Sequence, residues 1–319
     1  MSDGLRPRRI LAVMDGGEAQ PALAAAAALA ERHGAALDVM ACVEPPADLG
    51  VLARLAGQDG PGLRAQLRER TARHARARLA ALLPRHGAPP HVAVGKTFVE
   101  IVAHVVATGC DFVVKAAEPL TGLNAAFFAS TDQHLLRKCP CPVWLLTEGA
   151  ARAPARVIAA VDVDDWDAEE PATLAALNRR VIAAARAVMD GGGTLMALHA
   201  WSSAGDGMVW AFSSDADPRA RADAYVDATL SARHAAMGRL IDAVGAPAPT
   251  PRLVRGSPEA VIAAEARQWD ADLVVMGTVA RTGIAGIFIG NTAENVINGL
   301  DRPVLAVKPE GFVSPLAGR

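Results

Sequence analysis

The chain is poor in cysteine: Cys42, Cys110, Cys139 and Cys141 are the only four in 319 residues. So few cannot make the disulfide framework of a secreted scaffold, and they fit a reducing compartment. Cys139 and Cys141 stand two apart with no second cysteine or histidine pair nearby, so no metal site is expected there. An excess of one charge is also missing. The formal net charge is −2, with acids and bases interspersed, which argues against nucleic acid as the main partner. Long apolar runs are missing too. The run Ile10 to Met14 before Asp15 is too short for a signal sequence. The Ala-rich stretch Ala22 to Gly34 ends in charge and glycine, whereas a membrane span needs about 20 apolar residues. A cytoplasmic protein without membrane partners is the expectation. No Gly-x-Ser-x-Gly elbow, His-Glu-x-x-His pair or Walker A loop occurs. The histidines are scattered, and His134 and His199 read as structural. Without a placed base or nucleophile, an efficient enzyme is not expected.

What the chain does have is a core and a repeat. Hydrophobic residues make up 51% and charged residues 21%, enough for a large core, and the length suits one or two domains. The stretch from Gly109 to Leu146 aligns without a gap on that from Asp270 to Val307. Asp111 meets Asp272, Gly122 meets Gly283, Thr131 meets Thr292 and Pro142 meets Pro303, always at an offset of 161. Gly95 and Gly256 keep that offset, while the half starts, Asp15 and Asp162, differ by 147. The chain is therefore a tandem duplication joined near Glu148 to Arg156. The expected domains are residues 1–149 and 154–312.

Each half reads as βαβαβαβαβ. Short apolar runs without alternation, such as "RILAVM", "RVIAAV" and "DLVVM", suit strands buried on both faces. Helical stretches lie between them. Gly34 suits a helix C-terminus, and Thr97 with Glu100 suits a capping box. Strands alternating with helices predict a parallel sheet covered on both faces. Ligands then sit beyond the carboxyl ends of the strands.

The loop after "DLVVM" draws attention. "GTVARTGIAGIFIGNTAE" places Gly277, Gly283, Gly286 and Gly290 between a strand and a helix. Glycines let backbone N–H groups approach phosphate oxygens, the next helix offers free N–H groups, and Arg281 adds a charged donor. The plain alternative is a turn in which Asn291, with Glu294 three residues on, starts a helix, as Ser130 with Gln133 does in the first half.

The tandem halves, the Asp after the first strand, and the runs "GTVARTGI…GNTAENVI" and "TDQHLLRKCPCPVW" resemble the universal stress protein family, in particular its tandem, E-type members. The resemblance covers nearly the whole chain. It implies a flavodoxin-like (Rossmann-like) five-stranded parallel sheet per half, in the order 3-2-1-4-5, and two halves packed as an internal pseudo-dimer. A monomer or a homodimer would satisfy that arrangement. ATP-binding members carry Gly-x2-Gly-x9-Gly-Ser/Thr after strand four. Gly277 and Gly290 match its first and third glycines, while Ala280 and Asn291 depart from the second and the last position. The family's base and ribose contacts map to Asp162, Val163 and Ala200. With Arg281, Gly283 and Thr292 these residues make the expected adenine-nucleotide site of the second half, ATP being the ligand and Mg²⁺ accompanying it. Asp164, Asp165 and Asp167 read as a solvated acidic loop. The first half has Ala116, Pro119 and Ala129 at the three glycine positions, so no nucleotide is expected there, and Phe127 and Phe128 read as inward-packing. The resemblance implies a stress-response regulator with protein partners it does not name. A ligand-free interaction protein is the competing reading, and a slow ATP-hydrolysing enzyme the third, with any such hydrolysis incidental to regulation.

Overall fold

The computed structural model describes residues 5–14, 21–44, 60–82, 90–118, 130–150, 153–164, 171–202, 218–278 and 290–317. They fall into two compact units, mainly 6–153 and mainly 154–311.

In the first half the strands are β1 (Arg9–Met14), β2 (Ala36–Val43), β3 (Pro90–Val94), β4 (Phe112–Ala116) and β5 (Val143–Leu146). The helices are α1 (Pro21–His33), α2 (Gly60–Leu82), α3 (Thr97–Thr108) and α4 (Ser130–Lys138). All pairings are parallel, β1 lying between β2 and β4, with β3 beyond β2 and β5 beyond β4. The order is thus 3-2-1-4-5. The second half repeats it with β6 (Arg156–Ala160), β7 (Thr194–Trp201), β8 (Thr250–Arg255), β9 (Leu273–Gly277) and β10 (Val304–Val307). Its helices are α5 (Pro171–Val188), α6 (Pro218–Val244), α7 (Pro258–Gln268) and α8 (Asn291–Gly299). The two flavodoxin-like parallel sheets expected from the sequence are both present.

The central strands are buried along most of their length because helices cover both faces. Ile10, Leu11, Phe112 and Val113 are fully buried in one half, and Val157, Ile158, Val274 and Val275 in the other. The repeat shows in the wiring as well as the topology. The Asp111 carboxylate accepts the N–H groups of Arg8 and Arg9 at 3.0 Å, and Asp272 accepts those of Ala155 and Arg156 at 2.9 and 2.8 Å. Each aspartate ties the loop before the fourth strand to the start of the first. These backbone donors would otherwise lie unpaired at the sheet edge.

Helix ends differ from the capping boxes read in the sequence. Gly34 does follow α1 in the left-handed region, at φ 64°. Thr97, however, is the first helical residue of α3, and the N-cap is Lys96 without a side-chain bond. The Thr97 N–H is taken instead by Glu44 Oε1 at 2.6 Å, from the residue after β2. At α8 the N-cap is Gly290 rather than Asn291, again without a side-chain bond. Local spacing suggests a cap, but which residue becomes the cap depends on where the chain turns in three dimensions.

Candidate functional site

In each sheet the first strand has a neighbour on either side, so a crevice opens at its carboxyl end. In the second half this crevice is a pocket of about 460 Å³, within the usual size range of small-molecule sites. Its floor is apolar, with Leu174, Leu177, Val181 and Ile262 among the lining residues. Its polar rim comes from the ends of β6, β7 and β9 and from the start of α8.

The structure brings together five of the residues marked in the sequence. Asp162, Ala200, Gly277, Gly290 and Thr292 all line the pocket. Val163 does not. It is buried, and its backbone nitrogen lies 3.4 Å from His199 Nδ1. Asn291 opens α8. Ala280, Arg281 and Gly283 lie outside the described residues, as do Phe127 and Phe128 in the first half.

Three groups that sequence reasoning missed hold this rim in place. Asn178, buried on the inner face of α5, clamps the peptide of Asp162. Its Oδ1 accepts the Asp162 N–H at 3.1 Å and its Nδ2 donates to the Asp162 carbonyl at 2.6 Å. An amide among Leu174, Leu177 and Val181 was the available signal. Arg233 of α6 binds Asp164 through both ends of its guanidinium, at 2.8 and 2.9 Å, and lies over the Trp201 ring at 4.7 Å. Lys308, 2% exposed just after β10, donates to Thr278 Oγ1 at 2.7 Å. The Thr278 carbonyl in turn accepts the Gly290 N–H at 3.2 Å. The two ends of the glycine loop are therefore tied together above a buried ammonium group.

The electrostatics separate the acidic residues. Burial alone would raise the Asp164 carboxyl, but hydrogen bonds from His199 and Arg233 hold it below its usual value. His199 Nε2 lies 3.3 Å from Asp164 Oδ1, and Nδ1 lies 3.1 Å from the Val161 carbonyl oxygen. Asp164 is thus a structural ion pair and not part of a solvated acidic loop. Asp162 lies open, its side chain 60% exposed, and accepts the Asp164 N–H at 3.1 Å. Asp162, Asp164 and His199 stand close enough to share an ion. They do not suit Mg²⁺, which requires an octahedron of oxygens. One donor is an imidazole, and one carboxylate is already held by a guanidinium.

Gly277 and Gly290 differ in why they are glycine. A Cβ on Gly277 would lie 2.7 Å from Leu177 Cδ2, so the side chain is excluded by packing. A Cβ on Gly290 would meet nothing within 4 Å, and its φ of −56° suits any residue. Neither the fold nor the backbone requires glycine at the head of α8. Among the described residues nothing stands within 4 Å of that position, and the N-cap, being glycine, supplies no side-chain bond.

At the corresponding positions of the first half stands a buried ion pair. Lys115, the counterpart of Met276, donates from Nζ to Asp132 Oδ1 at 2.8 Å and to the Ala116 carbonyl at 2.9 Å. Asp132, the counterpart of Ala293, also accepts the Glu118 N–H at 2.8 Å and is fully buried.

Comparison with known proteins places both halves. The profile of the universal stress protein family matches residues 7–147 and again 155–308. The chain belongs to the universal stress protein family. It is 31% identical over 221 residues to universal stress protein E of Escherichia coli K12, covering 69% of this chain and 68% of that protein. A homologue in Haemophilus influenzae is 31% identical over 199 residues, 62% of each chain. Among solved structures, a functionally unknown protein of Pseudomonas aeruginosa PAO1 superposes with a TM-score of 0.67 at 24% identity. It covers 95% of this chain and 93% of its own. A putative universal stress protein of Pseudomonas aeruginosa UCBPP-PA14 gives the same TM-score and identity, covering 95% and 94%. These structural likenesses concern the fold. The two matches make this chain a tandem member of the family. No helix among the described residues is long and apolar enough to cross a membrane.

Proposed function

We propose that this universal stress protein is a stress-response regulator whose second domain, residues 154–312, binds an adenine nucleotide, with ATP as the expected ligand. The reading rests on one observation. Helix α8 presents an N-terminus without a side-chain cap, at Gly290, to a pocket of about 460 Å³ that also takes in Asp162, Ala200 and Gly277. A helix N-terminus carries about half a positive charge and unpaired N–H donors, which suits phosphate oxygens. The apolar floor and Trp201 suit a planar base, and the open Asp162 carboxylate suits a ribose hydroxyl. Mg²⁺ would arrive with the phosphates, because the surrounding side chains supply no octahedral cage. The test is to denature the purified protein and identify the small molecules it releases by mass spectrometry. About one adenine nucleotide per chain is expected. No nucleotide, together with no binding of added ATP and Mg²⁺, would overturn the reading in favour of a ligand-free interaction protein.

A further inference from the structure

At the opposite end of the first half's sheet, where the parallel strands begin, lies a second cluster of chemical groups. Asp38 is near the start of β2, Arg9 opens β1, Cys110 precedes β4, and His104 lies late in α3. Asp38 and Cys110 are buried, and the His104 side chain is 10% exposed. His104 Nε2 lies 3.3 Å from Asp38 Oδ2, and Cys110 Sγ lies 3.6 Å from the same oxygen. All three ligand-type atoms fall within 4.8 Å of one another. The His91 ring lies against that of His104, centroids 4.7 Å apart.

The second half shows what this place holds when it is only structural. The offset of 161 maps His91 to Arg252, His104 to Glu265 and Cys110 to Ala271, and strand register maps Asp38 to Met196. There Arg252 makes a plain two-pronged ion pair with Glu265, at 3.2 and 3.0 Å. Four positions that carry no metal-ligand set in one half therefore carry two histidines, a cysteine and an aspartate in the other.

We propose that Asp38, His104 and Cys110 form a binding site for one divalent transition metal of the zinc class. The donor types are those of zinc sites, with one thiolate, one imidazole and one carboxylate. Zinc bonds of about 2.0–2.3 Å in a tetrahedron set N···O and S···O donor separations of about 3.3 and 3.6 Å. These match the separations observed. A water completes the set. Arg9 donates from Nε to the same Asp38 oxygen at 3.0 Å, and its side chain is 41% exposed. The metal displaces this guanidinium into solvent, so Arg9 competes with the ion.

The test is titration of the full chain with Co²⁺, read by absorption. One Co²⁺ per chain should bind with a near-ultraviolet thiolate-to-cobalt band, and Zn²⁺ should remove it. The Asp162–His199 group has no sulfur and cannot give that band. Cys110→Ser abolishes the band, while Cys139→Ala with Cys141→Ala leaves it intact. Asp38→Asn keeps the band and weakens binding by about tenfold. Arg9→Ala tightens binding. The proposal is overturned if the native protein shows no thiolate–cobalt band, or if the band is lost with the Cys139 and Cys141 variant. If Cys110→Ser does not fold, an Asp38→Asn variant with unchanged Co²⁺ affinity overturns it equally.

Discussion

Lys115 and Asp132 in the first half stand where Met276 and Ala293 stand in the second. The first pair is a buried ammonium and a buried carboxylate, and that carboxylate also accepts the N–H of Glu118, from the start of the loop after β4. The second pair is small or apolar and lines the pocket. The same fold thus treats its anion-binding corner in two ways. One half supplies an internal carboxylate together with the cation that neutralises it. The other starts the helix from a glycine N-cap, and its buried lysine, Lys308, binds Thr278 Oγ1 without itself lining the cavity. Loss of loop glycines is therefore only part of the reason to expect no nucleotide in the first half. The corner already holds an anion of its own.

The largest effect should follow from breaking the buried ion pair of the first half. Lys115→Met strands a fully buried carboxylate and should cost about 3–5 kcal/mol in the unfolding transition of that half. Giving it both residues of the second half, Lys115→Met with Asp132→Ala, should restore most of that stability. Chemical denaturation measures both, and a loss below about 1 kcal/mol in the single variant would show that the pair is not closed to water.

The ion pair beside the pocket of the second half should be worth less, because Asp164 is 28% exposed. Arg233→Ala should cost about 2 kcal/mol by denaturation and loosen the wall that carries Trp201. The pH dependence has a definite sign. Since Asp164 is held below its usual value, its stabilisation is complete above the unfolded pKa of about 3.9. It fades as the pH falls from there through the lower folded value. Thermal midpoints of Asp164→Asn measured from pH 7 to pH 3 should lack that acid-side decline. A decline as steep as in the native protein would assign it elsewhere.

A smaller effect is expected at Gly277. Its Ala variant must push Leu177 aside and should cost about 1 kcal/mol while narrowing the pocket. A thermal midpoint equal to the native one would mean that Leu177 simply turns away.

The strands, the helices and the duplication were legible because they depend on period and repetition. β1, β2 and α6 begin and end at the residues expected from their apolar runs and prolines. Half of the candidate site was legible for the same reason, since strand ends such as Asp162, Ala200 and Gly277 follow from topology. The rest depends on pairs that no local pattern links. Asp164 and Arg233 are 69 residues apart, Thr278 and Lys308 are 30 apart, and Asp38 and Cys110 are 72 apart. The capping boxes at Thr97 and Asn291 had the right residues in the right spacing. Glu44 and Gly290 nevertheless took those roles, because a carboxylate from β2 reached one helix and the turn reached the other a residue early.

The most direct test of the difference between the halves is isothermal titration of the nucleotide-free full chain with ATP and Mg²⁺, beside its Gly290→Val variant. Among the described residues that position has nothing within 4 Å, so folding should be unchanged. The native protein should show one site per chain, and the variant a loss of affinity of about tenfold or more with an equal thermal midpoint. Two sites per chain, or an affinity indifferent to Gly290→Val, would contradict that difference.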